Sequence, residues 1–141
     1  MPTTTVCTSF KKEILEGVHE ATDVYKIALI KAGSSGSYGA GTLNYSELSS
    51  NEVSNGNGYS TGGATLSGFA TGITGTTAYV DFSDPSWPAS TFSVIGALIY
   101  NSSQSGKAVC VLDFGGTFSP SNGVFSVVFP SPGATALIRL T

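Results

Sequence analysis

The sequence predicts an all-β protein: an antiparallel, jelly-roll-like β-sandwich with one short N-terminal helix. Three observations carry that expectation. After Asp23 the apolar residues come in short runs rich in Val, Ile, Tyr and Phe, the types that fit a pleated surface. Turn residues break up these runs, and 18 of the 141 residues are glycine. Helical spacing occurs once, near the start, so the strand–helix alternation of a parallel α/β fold is missing. An immunoglobulin-like sandwich is the next alternative, and strand spacing separates the two poorly. The length suits one domain, with an arm and helix over about 1–20 and the sandwich over about 23–141.

The helix is expected over residues 9–20, "SFKKEILEGVHE", where Phe10, Ile14, Leu15 and Val18 recur on one face. Ser9 is placed as its cap, because a serine hydroxyl can accept from a free backbone N–H of the first turn. Lys11, Lys12, Glu13 and Glu16 fall on the wet side. Gly17 weakens the helix by up to about 1 kcal/mol relative to alanine. So short a helix is marginal alone and must dock, either over one end of the core or on another subunit.

Strands are expected at residues 23–30, 77–82, 91–100, 108–114, 123–129 and 135–140, with a weaker one around 64–69. "DPSWP" is a turn, since Pro85 and Pro88 cannot donate to a ladder. "NSSQSGK" is the hairpin loop between two long strands. Those two strands are apolar on both faces: Ile95, Ala97 and Ile99 against Val94, Leu98 and Tyr100, then Val109 and Val111 against Ala108, Cys110 and Leu112. A half-exposed antiparallel sheet shows one polar face. These strands therefore either sit centrally under a cover or meet another chain. Phe10 and its helical companions favour the intramolecular cover.

Charged residues make up 11% of the chain, against about 25% in ordinary globular proteins. Mean hydropathy is +0.19, which argues against disorder. With 6 Lys and Arg and a net charge of −3, there is no basic patch for nucleic acid. The longest strongly apolar run, "VIGALIY", falls far short of the roughly 20 residues of a membrane helix. "MPTTTVCTSFKKEILEG" lacks the apolar segment of a secretory signal, so a soluble product of the cytosol is expected, with no membrane partner. Cys7 and Cys110 read as two buried thiols; a bridge between them is the less favoured alternative. A surface with so few charges suits a protein that works against neighbours.

No constellation for chemistry emerges. His19, beside Glu16 and Glu20, reads as a solvent-facing helical histidine. Asp81 and Asp84 flank a turn but are too few for a metal site. "DFGG" stands alone without the other parts of a kinase. A carboxylate pair of Asp113 with Asp81 or Glu52 is not singled out by anything around it. The sequons at Asn44 and Asn101 matter only in a secreted protein. Residues 51–68, "NEVSNGNGYSTGGATLSG", lead into a strand and hold no Lys or Arg, so they are not a phosphate cradle. The segment reads as a joint in the framework, anchored by Tyr59. The Gly- and Ser-rich stretch 33–41 looks similar, with Tyr38 inside it, and a pair of adaptable carbohydrate-binding loops would look much the same. Catalytic residues, metal ligands and cofactors are accordingly none. The candidate contact residues are Phe10, Tyr38, Tyr45, Tyr59 and Trp87, since aromatics are enriched at binding hot spots. For Trp87 the competing role is a plug at the end of the sandwich.

"TTTVCTSFKKEILEGVH", "DVYKIALI", the Asn-Gly joint before "STGGATLSG", and "TAYVDFSDPSWPASTFSVIGALIYNSSQSGKAVCVLDFGG" together resemble the cement, or head-decoration, proteins of short-tailed bacteriophages. The likeness is one of overall pattern across nearly the whole chain. It implies a jelly roll bound to the outside of an icosahedral head. The partners it implies are the major capsid protein and further copies of the chain, as dimers. It brings no catalytic residues with it.

Overall fold

The most apolar runs become the centre of the molecule. The computed structural model describes residues 3–140. In it β2 (Tyr25–Lys31), β7 (Val94–Asn101) and β8 (Lys107–Phe118) are antiparallel neighbours, with β1 (Thr3–Val6) beside β8 and β3 (Ala64–Thr65) beside β2. The register sets Ile27 against Ile99 and Leu98 against Val111. Ile27, Leu29, Leu98, Ile99, Val109 and Leu112 are fully enclosed. Each such side chain stabilises the fold by roughly 1.5–3 kcal/mol. Strands buried on both faces have no polar alternation, which is why β7 and β8 read as continuous apolar runs.

One cover is the helix α1 (Thr8–Leu15), which packs on β8 and puts Phe10 into the core. The intramolecular cover is therefore the one used. Three details of α1 differ from expectation. Cys7, not Ser9, holds the N-cap position and gives no side-chain cap; the Ser9 hydroxyl lies buried without a partner. Gly17 does not weaken the helix from within but ends it. At φ +71° it lets its own N–H reach Ile14 O (3.1 Å) while Val18 N–H reaches Glu13 O (3.0 Å), a Schellman closure. The early stop leaves Leu15 89% exposed, off the face that Phe10 and Ile14 present to the core.

Two smaller antiparallel sheets complete the β framework. β4 (Ala70–Thr74), β5 (Thr77–Asp81) and β10 (Ile138–Leu140) lie in the order β10-β5-β4. β6 (Ser86–Thr91) pairs with β9 (Ser121–Ser126). "DPSWP" is thus not a plain turn, because Trp87 and Pro88 belong to β6. Proline is tolerated there because the register shifts between Trp87 and Ser90, a bulge that asks no ladder bond of Pro88. The expected strand at 64–69 is shorter, and "ATGIT" forms a strand of its own. β1 is a paired strand rather than an arm. The all-β, antiparallel class holds, with ten strands and one short α-helix among the described residues.

Candidate functional site

The five aromatic candidates do not form one surface. Phe10, Tyr59 and Trp87 are 4%, 3% and 4% exposed, so they pack as core residues and offer no outward contact surface. Trp87 is the plug, packed 5.9 Å from Phe125 and 6.5 Å from Tyr59, ring centre to ring centre. Tyr38 and Tyr45 are half-buried, and their hydroxyls are taken up inside the molecule. Tyr38 bonds Glu47 O (3.2 Å) and accepts from Asn51 Nδ2 (2.9 Å). Tyr45 stacks on Tyr100 at 4.4 Å.

Tyr45 and Tyr59 are gathered by Glu52, a buried residue within the long loop between β2 and β3. Its carboxylate accepts from Tyr45 Oη (2.5 Å), Tyr59 Oη (2.5 Å) and Gly62 N–H (2.7 Å). Tyr59 Oη also accepts from Leu29 N–H (3.1 Å), tying the loop to β2. Burial first, and then the bond to Glu52, push both phenols far above the usual tyrosine range, so they remain donors. Tyr100, pushed up to about 12 by burial, donates to Gly62 O (2.5 Å). At Gly63, φ is +82° and a Cβ would sit 1.8 Å from Ile27 O, so only glycine lets the loop lie this close to β2. This is a joint in the framework, and Tyr59 is its anchor as the sequence suggested. Glu52 was missed: a lone acid in a polar loop gives no sign that hydroxyls will converge on it.

His19 is not a solvent-facing helical residue. The helix has already ended, and the imidazole is 3% exposed, 4.6 Å from the Phe10 ring. Nε2 lies 2.9 Å from Glu13 Oε1, and Nδ1 lies 3.0 Å from Asn101 Nδ2. An amide nitrogen can only donate, so in the neutral ring Nδ1 accepts and the proton sits on Nε2. Asn101 Nδ2 also donates to Asp23 Oδ2 (2.8 Å), and that bond leads the causes that hold Asp23 below the usual carboxylate range. Both ring nitrogens are occupied. The cluster pins the chain after α1 to the end of β7.

The remaining acids are scattered. Asp84 accepts from Phe129 N–H (2.8 Å), while Asp81 Oδ1 is buried unpartnered and its pKa is raised, chiefly by desolvation. Among the described residues no three His, Cys, Asp or Glu side chains gather to hold a metal ion, and no helix is long and apolar enough to cross a membrane. Cys7 and Cys110 are free and buried. Asn101 is fully buried, and Asn44 is tied to Ser46 N–H and Ser105 O.

An open cleft of about 720 Å³ lies between α1 with the start of β2 and the sheet β10-β5-β4. The strand register puts Thr71, Ile73, Ala78, Val80, Ile138 and Leu140 on the face that floors it. Phe10, Ile14, Tyr25, Phe69 and Phe82 form the rest of its wall. Ile73 is 79% and Leu140 49% exposed, so this apolar face is only half covered. A signal for it existed: "TGITGTTAYV" has two β-forming runs around Gly-Thr, a two-residue hairpin turn with Gly first. Comparison with protein-family models, curated proteins and solved structures finds no match for this chain.

Proposed function

We propose that this chain is a decoration protein of a bacteriophage head, binding the outer surface of the major capsid protein shell and stabilising it. The observation that carries the reading is its surface, apolar in places and poor in charge. Leu15, Leu43, Ile73, Val124 and Val128 are 58–89% exposed on a chain in which charged residues are only 11%. Isolated exposed apolar residues are ordinary, but here little charge surrounds them to keep neighbouring chains away. The resemblance to head-decoration proteins supplies the partner, and pairing with a second copy belongs to the same reading. Each copy would bridge adjacent shell subunits, removing apolar area from water at roughly 25 cal/mol per Å². Modest contacts repeated over a closed shell reinforce one another through high effective concentration.

Heads purified with and without this chain test it. Decorated heads are expected to melt at a higher temperature in calorimetry. Equal melting of the two preparations would count decisively against a cementing role. A carbohydrate-binding or tail-associated phage module is the weaker reading, because Trp87 and Tyr59, the rings that glycan binding would need as stacking platforms, are turned inward.

A further inference from the structure

Among the described residues the sheet β10-β5-β4 ends on β4 with no strand beside it. In a hairpin closed by a two-residue turn, residues alternate between those bonded across the pair and those whose backbone groups point away. Thr74 and Thr77 close this hairpin, so Ala70 and Gly72 bond β5 while Thr71 and Ile73 face outward. Among the described residues nothing hydrogen-bonds the outward N–H and C=O groups of Thr71 and Ile73. Free edges are normally guarded by charge, proline or a bulge. β10 carries Arg139, and β6 carries Pro88 with its register shifts. β4 has no such guard and pairs with β5 in unbroken register.

The same two residues, Thr71 and Ile73, direct their side chains to the cleft face. A strand laid beside β4 would therefore bond their backbone and send every second side chain over the cleft. An extended polypeptide matches both halves of this surface: the spaced donors and acceptors, and the apolar trough filled from alternate positions. A lipid or small aromatic molecule would fill the trough and leave the edge unpaired.

We propose that β4 receives, by strand addition, an extended segment of a partner protein that carries apolar residues at alternate positions, with the cleft as their pocket. That the partner is the shell subunit rests on the decoration reading. The test is Ile73→Lys, which places a charge on the edge at a site exposed enough to keep the fold; its melting curve checks that. Ser50→Lys, on an exposed loop away from the cleft, adds the same charge as a control. Copies bound per head are read by gel densitometry. Ile73→Lys is expected to bind at least about tenfold more weakly, and Ser50→Lys as the unaltered chain does. Equal binding by Ile73→Lys overturns strand addition and leaves decoration standing. If the unaltered chain binds no heads, decoration falls and the shell partner with it. Two further outcomes overturn the proposal: a dimer in sedimentation that Ile73→Lys dissociates assigns the edge to a second copy, and flotation with phosphatidylcholine vesicles that Ile73→Lys abolishes assigns the cleft to lipid.

Discussion

Glu52 shows how a single residue can hold a loop that has almost no apolar content. Three donors converge on its carboxylate, and two of them are phenols that burial keeps protonated. Glu52→Gln sets an amide donor against one of those hydroxyl donors, and Tyr59→Phe removes a donor to Glu52 and the acceptor for Leu29 N–H. Hydrogen bonds to a buried charge are worth more than neutral ones, so each change is expected to destabilise by about 2–3 kcal/mol in urea unfolding. The double variant should lose less than the sum, since both changes break one network. Two single variants within about 0.5 kcal/mol of the unaltered chain would show that the knot does not hold the loop. Tyr59 was legible as an anchor because a large ring stands alone among Gly, Ser and Asn. Its acceptor was not, because the carboxylate is drawn in by hydroxyls that the sequence does not place in space.

At the scale of elements, α1 stops where its backbone is closed off, not where its apolar pattern ends. Gly17 takes φ +71°, and a Cβ added there would meet nothing within 4 Å. Gly17→Ala therefore tests backbone conformation alone, free of any clash. A non-glycine residue in the left-handed region is disfavoured by roughly 1–2 kcal/mol, and urea unfolding should show a loss of about 1 kcal/mol. No loss would mean that the Schellman bonds do not fix the end of the helix. That stop is also what carries His19 off the helix and into its site between Glu13 and Asn101. Periodicity placed β2, β7 and β8 to within a few residues, because their apolar runs are long and buried on both faces, and β5 by its alternation alone. It missed β1, "TTTV", and β4, "ATGIT", which lie at sheet edges, are mostly exposed and carry little apolar pattern. The edge strands were thus the least legible elements, and they are also the ones free to pair with another chain.

The whole molecule joins a closed interior to open edges, and the two cysteines report on whether the interior opens as one unit. Cys7 follows β1 and binds Val109 O through its N–H (2.9 Å); Cys110 lies on β8 opposite Val6. Both side chains are fully buried. Desolvation leads the causes that push the Cys7 thiol up to about 11, with Glu47 and Glu13 adding to it, and burial drives Cys110 higher still. A raised thiol pKa means almost no thiolate at neutral pH, and the thiolate is the reactive form. Labelling by a thiol reagent should therefore wait for unfolding and follow the global equilibrium, with both cysteines reacting at one slow rate that rises with urea. If β1 and α1 instead detach as a unit of their own, Cys7 will react well before Cys110 in native buffer. Matched rates would show that the N-terminal segment is welded to β8 and that the core stays shut. Partners would then have to be met by the exposed edges and the half-covered face of the small sheet, because Tyr59 and Trp87 are enclosed in the core.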